Sequence, residues 1–230
     1  MKKIILCGFN WSGCEALESL IKKKYHVFVY THLPKYFEPD IIRICKKNKI
    51  LYTTKKINYK NIPFKPDLII SISYKFKIPA NVLSLSKFKP FNLHPSLLPK
   101  YKGCSSITWA MVNGEKKTGF TYHYMNEKYD DGKIILQKSI EIKKFDLQST
   151  LYYRVMFTSL LYFDEALKKV LNKYPGRKQK GKSTYFKRGA PYAGIIKNDL
   201  KGIKRENFIR AMIFPPLPLA KFRNKFIKKY

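Results

Sequence analysis

Residues 2–31, KKIILCGFNWSGCEALESLIKKKYHVFVYT, decide the fold. An apolar run from Ile4 to Cys7 gives way to GFNWSG, and then Ala16, Leu17, Leu20 and Ile21 fall at i, i+1, i+4 and i+5, the apolar stripe of a helix. A second apolar run, HVFVY, follows. Strand, turn, helix and strand in that order open a βαβ unit, and such units build a parallel sheet. The turn holds Gly8 and Gly13 but neither GxGxxG nor a following GK[ST], so the dinucleotide fingerprint and the phosphate-binding P-loop are both excluded. The opening apolar run stops at Cys7, short of a signal peptide's apolar region, and is read as a buried first strand. No stretch approaches the roughly 20 apolar residues of a membrane helix, so a soluble, cytoplasmic protein is expected.

Further along, PDLIISISY (66–74) and KFKPFNLHP (87–95) are continuous apolar runs of the kind that suits parallel strands covered on both faces. TGFTYHYMNEKYDDGKIILQKSIEI (118–142) reads as two extended segments joined at YDDG, a turn of residues that tolerate unusual backbone angles. A long helix is expected over 147–171, with Leu151, Val155, Ser159 and Tyr162 on one side and Asp146 as its cap. The basic link NKYPGRKQKGKS (172–183) separates a main domain, 1–175, from a short extension, 183–230, in which RENFIRAMIF is a helix stopped by Pro215 and Pro216.

The charge is extreme, 47 Lys and Arg against 15 Asp and Glu, a net +32. That raises nucleic acid as a partner, because basic side chains at phosphates release counterions. Yet only seven of the 47 are Arg, the residue for bidentate base and phosphate contacts, and the lysines are scattered among Ile, Tyr, Phe and Asn, as codon bias also produces. Four cysteines without CxxC pairing and four histidines without ligand spacing point to free thiols in a reducing compartment and to no metal.

FNLHPSLLPKYKG (91–103) carries the chemistry. Side chains two apart on a strand share a face, so Asn92 and His94 point together while Leu93 points away. Pro95 ends the ladder, which puts the pair at a strand's C-terminal end, where open α/β sheets bind ligands. An amide can donate to a developing oxyanion, and an imidazole moves protons near neutrality. On spacing alone the two side chains could equally satisfy loop backbone groups.

The run FNLHPSLLPKYKGCSSITWAMVNGEKKTGFTYHYMNEKYDDGKIILQ (91–137) resembles the core of the 10-formyltetrahydrofolate-dependent formyltransferases, with their Asn-x-His strand, SLLPxYxG loop, Trp-Ala helix, TG strand and final Asp-x-Gly. GCEALESLIKKKYHVFVYTH, TYFKR and FIRAMIFPP further resemble the members that formylate amino sugars attached to nucleotides. The resemblance implies an open, mostly parallel Rossmann-like α/β sheet with helices on both faces. It puts His94 in the catalytic histidine position, Asn92 in the oxyanion position and Asp130 in the position of the aspartate that orients the histidine. Asp131 stands where relatives usually have a small or hydroxyl residue. Phe76, Lys77 and Ile78, with Asn126, Glu127, Lys128 and Tyr129, are implied around the folate. Lys102 replaces a usual Arg, Ser106 a frequent Pro, and Cys104 an Arg of some sugar-specific members. His123 is expected to be a packed or surface residue.

The activity so implied is transfer of a formyl group from 10-formyltetrahydrofolate to the amine of a nucleotide-linked amino sugar. Tyr185, Lys187, Arg188 and Arg210 are expected to meet its base and diphosphate. Methionyl-tRNA formylation is the rival within the class, disfavoured because few residues follow Ser183 to form the added barrel of those relatives. Glycinamide ribonucleotide formylation is weaker, since its Gly-rich first loop is replaced by GFNWSG. From another class, the chain could be a basic nucleic-acid-binding module on the same fold, and binding of nucleic acid is otherwise expected to be non-specific at most. A homodimer is compatible with the sequence.

Overall fold

Alternating apolar runs and amphipathic helices give, in chain order, β1 (Lys3–Gly8), α1 (Asn10–Lys22), β2 (His26–Tyr30), α2 (Ile41–Lys47), β3 (Tyr52–Thr53), β4 (Leu68–Ile72), α3 (Ala80–Leu83) and β5 (Phe91–His94). They continue as β6 (Lys102–Gly103), α4 (Ser106–Val112), β7 (Lys117–Tyr124), β8 (Ile134–Glu141), α5 (Gln148–Leu161), α6 (Phe163–Leu171), β9 (Tyr185–Phe186) and α7 (Gly202–Ala211). The computed structural model describes residues 1–33, 40–223 and 225–227.

Seven strands form one sheet in the order β3-β2-β1-β4-β5-β7-β8, and β3, β2, β1, β4 and β5 pair in parallel. The order runs outward from β1 in one direction to β3 and in the other to β5. Because parallel crossovers are right-handed, the connecting helices lie on opposite faces of the two halves, and the reversal between β1 and β4 is a switch point. This is the open, mostly parallel α/β sheet expected. All five residues of β4 are buried, as their unbroken apolar run requires.

The described chain divides into two compact units, Met1–His94, Tyr122–Leu136 and Ser159–Lys178 in the first, and Pro95–Thr121, Gln137–Thr158 and Gln179–Tyr230 in the second. The chain passes from the first unit to the second after Lys178, inside the link 172–183, but the expected 1–175 domain is not one unit, since 95–121 and 137–158 fall in the second. The residues from 183 onward form a unit with two inner segments of the chain. The last three residues of the expected extension, and residue 224, lie outside the described residues.

In the first unit, Ile5, Cys7, Tyr30, Ile57, Ile69, Ile78, Val82 and Leu83 form one apolar cluster between sheet and helices. In the second, β6 pairs in parallel with β9, Lys102 opposite Tyr185 and Gly103 opposite Phe186. Gly103 has φ +86, and a Cβ there would stand 2.2 Å from the Phe186 carbonyl oxygen, so only glycine fits. The Phe186 ring stacks on Trp109, centroids 4.3 Å apart, and on Tyr101 at 5.7 Å.

The single helix expected over 147–171 is two. Tyr162 N–H donates to the Ser159 carbonyl at 3.0 Å, and Tyr122 Oη donates to the same oxygen at 2.9 Å. The carbonyl that Phe163 N–H would need for α-helical continuation is thereby taken, and the helix restarts at Phe163. Asp146 is not a cap. Its carboxylate accepts from Arg154 at 2.5 and 3.0 Å and from Lys143 N–H at 2.7 Å.

Candidate active site

Strand β5 runs beside β4 with Ser71 opposite Asn92 and Ile72 opposite Leu93, and Pro95 ends the ladder directly after His94. Leu93 is buried on one face; His94, 4% exposed, and the half-buried Asn92 lie on the other. The sequence reading of this pair as a strand end pointing one way therefore holds.

The YDDG turn reaches this strand end because its stem is clamped. Tyr124 N–H donates to the Lys133 carbonyl at 2.9 Å, and Met125 N–H to the Pro90 carbonyl at 2.8 Å. Gly132 lies so close to β7 that a Cβ would stand 1.8 Å from the Tyr124 carbonyl oxygen. Asp130 adopts φ 52, a left-handed angle that Asp tolerates better than most residues. Its Oδ2 sits 3.6 Å from His94 Nδ1, whereas Asp131 is exposed. Asp130 is thus the carboxylate that faces the histidine. The spacing is longer than a hydrogen bond and within reach of an ion pair.

His123 is buried, as a packed residue would be, but it is also a member of this polar cluster. Its Nε2 is 3.1 Å from Asn92 Nδ2 and 3.4 Å from Asp130 Oδ1, and its Nδ1 is 2.8 Å from the Tyr124 carbonyl oxygen. A carbonyl only accepts, so Nδ1 carries a proton, and in that tautomer Nε2 accepts from the Asn92 amide. With the Asn92 side chain placed Nδ2 toward His123, its NH₂ is the end that meets the ring. One N–H goes to His123, and the second remains for a ligand oxygen. The signal for His123 in the sequence was its place in an alternating strand; what the sequence did not give was the adjacency of β7 to β5.

The residues expected around the folate divide. Phe76 is half-buried in an aromatic group at the C-terminal edge of the sheet, with Tyr74 at 5.5 Å and His32 at 6.0 Å, and His32 in turn stacks on Phe9 at 3.6 Å. Lys77 Nζ lies 5.2 Å from the centre of the Tyr129 ring, next to Asp130. The Ile78 side chain belongs to the core cluster, which leaves only its main chain for a ligand. Asn126 accepts from Lys128 N–H at 3.0 Å and shapes its own loop, while Glu127 and Lys128 are exposed. Planar rings and a cation beside a polar cluster fit a flat, anionic heteroaromatic ligand such as a folate.

Of the residues expected at the acceptor, Tyr185, Lys187 and Arg188 are exposed. Arg210 is corrected. It is buried, and its guanidinium donates to the Asp146 carbonyl at 2.9 Å, the Lys143 carbonyl at 3.4 Å and Asn207 Oδ1 at 2.6 Å. A fork so engaged ties the 143–146 turn to α7 and has no free direction for a diphosphate.

Cys7, Cys14 and Cys45 are buried free thiols, Cys104 is half-exposed, and burial pushes the Cys14 and Cys45 thiols up to about 12. Among the described residues no three His, Cys, Asp or Glu side chains gather as a metal site, and no helix is long and apolar enough to cross a membrane.

GDP-perosamine N-formyltransferase of Brucella melitensis is 41% identical to the chain over 157 residues, 68% of this chain and 61% of that protein. The chain thus spans about six-tenths of the length of this curated relative. Among solved structures, a sugar 3N-formyl transferase determined in the presence of dTDP and 5-N-formyl-THF superposes with a TM-score of 0.82 at 24% identity, over 99% of this chain and 85% of that one. An N-formyltransferase from Helicobacter canadensis in complex with folinic acid and dTDP-3-aminofucose does so with a TM-score of 0.82 at 24% identity, over 97% and 85%. These two likenesses show the fold. The family model described as formyl transferase matches residues 39–167, which is more than half of the sequence and contains Asn92, His94, His123 and Asp130. On that match the chain belongs to the formyl transferase family.

Proposed function

We propose that the protein is an N-formyltransferase that moves the formyl group of 10-formyltetrahydrofolate to the primary amine of a nucleotide-linked amino sugar. The observation that carries the reaction type is the convergence of His94, Asp130, Asn92 and His123 at the end of β5. Similarity to a GDP-perosamine N-formyltransferase supports the acceptor class. Phe76, Lys77, the Ile78 main chain and Tyr129 would hold the folate, which supplies an activated formyl carbon when bound.

Each step then falls to a group of this chain. With Nδ1 turned toward Asp130, the ring proton rests on that side and His94 Nε2 accepts the proton of the attacking amine. The imidazolium so formed is stabilised by the Asp130 carboxylate and returns its proton to the leaving nitrogen. The free N–H of Asn92 donates to the oxygen on which negative charge develops, and His123 keeps that amide oriented. General acid-base assistance of this kind contributes roughly 10² to 10⁴ in rate. Asp131, exposed beside Asp130, has no assigned step. Tyr185, Lys187 and Arg188, in the 183–230 extension, are assigned to the nucleotide. A cytoplasmic homodimer whose nucleic-acid binding is non-specific completes the reading.

The test is incubation of the protein with 10-formyltetrahydrofolate and a panel of GDP-, dTDP- and UDP-linked amino sugars, followed by chromatography and mass spectrometry. Formylation of at least one sugar and release of tetrahydrofolate are expected. Formylation of methionyl-tRNA with no sugar product would overturn the acceptor, and no formyl transfer to either would overturn the reaction.

A further inference from the structure

Between residues 41 and 114 the chain has fourteen Lys or Arg and a single acid, Asp67, whose carboxylate accepts from Lys3 N–H at the far, N-terminal end of β4. At the C-terminal end of that strand the acids come instead from the turn after β7, Glu127, Asp130 and Asp131, beside Lys77, and the residues of 41–114 add only cations. Three of them are held against rings there. Lys75 Nζ lies 4.9 Å and Lys56 Nζ 5.9 Å from the centre of the Phe76 ring, and Lys77 Nζ is 5.2 Å from that of Tyr129.

The position of Lys56 is built. It stands on the loop after β3, and the next residue, Ile57, is fully buried in the core cluster while its N–H bonds Tyr74 Oη at 3.2 Å. Asn61 closes the same loop by accepting from Asn58 N–H at 2.9 Å and donating to the Lys56 carbonyl at 3.0 Å. The backbone is fixed, and the Lys56 and Lys75 side chains are exposed. A solvated lysine face, common in so basic a chain, has no need of such anchoring or of rings under its ammonium groups.

We propose that Lys56 and Lys75 form, with Lys77, a subsite for a chain of carboxylates, the oligo-γ-glutamate tail of the folate donor. The inference rests on the folate reading above. A ring system held by Phe76 and Tyr129 next to Asp130 leaves its acidic end to emerge over these three cations. Exposed lysine–carboxylate pairs are individually weak, and two or three together give roughly a tenfold preference for a long tail over a single glutamate. The preference is electrostatic and fades as salt shortens the Debye length to about 3 Å at 1 M.

The experiment measures Kd for 5-formyltetrahydrofolate as the monoglutamate and as the tetraglutamate, at low and at 1 M salt. It uses the wild type and the Lys56→Ser/Lys75→Ser variant, with thermal melting as the check that both are folded. Expected is a roughly tenfold tighter tetraglutamate complex in the wild type, lost at high salt and lost in the variant, whose monoglutamate Kd changes less than twofold. Equal binding of the two folates by the wild type, or a preference that survives in the variant, overturns the subsite and leaves the donor reading standing. Binding of neither folate overturns both. If the variant keeps the tail preference and instead loses affinity for the nucleotide sugar, the lysines serve the acceptor's diphosphate and the proposal fails.

Discussion

The first unit gathers its polar side chains at one point, whereas the second spreads its order over rings far apart in sequence. Asn92, His94, His123 and Asp130 come from one strand end, the neighbouring strand and the turn after it. Tyr101, Trp109, Phe186, Tyr192 and Phe208 come from five places and are joined ring to ring, from Tyr101 through Phe186, Trp109 and Tyr192 to Phe208. The first arrangement joins polar groups, whose loss removes hydrogen bonds and charge contacts, and the second joins rings, whose loss removes packing. Substitutions in the two should therefore fail in different ways, one in rate and the other in stability.

The largest effect is expected at His94. His94→Ala should lower kcat by about 10² to 10⁴ with little change in melting temperature, and a folded variant with near-full turnover would break the contrast. Asn92→Ala should follow, raising the barrier by about 2.7–4 kcal/mol. A loss seen only in KM would make Asn92 a binding residue.

Next come the paired tests. Asp130→Asn should suppress turnover strongly because a neutral amide cannot stabilise the imidazolium, while the exposed Asp131→Thr should fall within about 0.5 kcal/mol in stability and near wild type in rate. The reverse result would move the catalytic carboxylate by one residue. For His123, Leu should cost roughly tenfold in kcat with an unchanged KM for the acceptor, and Gln, which can still accept from Asn92, should restore most of it. Equal damage from both would make His123 a packing residue.

In the second unit, Phe186→Ala should lower stability by about 2 kcal/mol, given a half-buried ring in two aromatic pairs. Denaturant midpoints measure this, and a loss of turnover without a shift in midpoint would contradict the division. The smallest effect is chemical. A thiol reagent should modify Cys104 in the native protein and reach Cys7, Cys14 and Cys45 only on unfolding, since burial raises all three thiols.

Much of the first unit was legible because its information is local. The apolar runs of β1, β2, β4 and β5 each lie within a few residues, and the spacing of Asn92 and His94 alone gives their common face. The choice of Asp130 over Asp131 came from family resemblance and agrees with the distances to His94 and His123. What escaped depends on partners remote in sequence. His123 matters only because β7 lies beside β5. Arg210 read as a free cation because the carbonyls that occupy it are more than sixty residues upstream. Ile78, in a loop by its neighbours, is drawn into the core with Ile57 and Val82.

The divided helix has a consequence for anyone redesigning this chain. A score based on helix-forming tendency would rate Tyr122→Phe as harmless, since the ring and its packing against Phe91 and Phe163 remain. Yet the lost hydroxyl is one of the groups holding the Ser159 carbonyl, and burial raises the Tyr122 phenol and keeps it protonated and donating. Relieved of that competitor, the Ser159 carbonyl is open to Phe163 N–H, the bond that would carry the helical turn across Tyr162. An edit of one oxygen atom that looks conservative residue by residue would thus alter the hydrogen bonding at the helix break, from the same strand that carries His123.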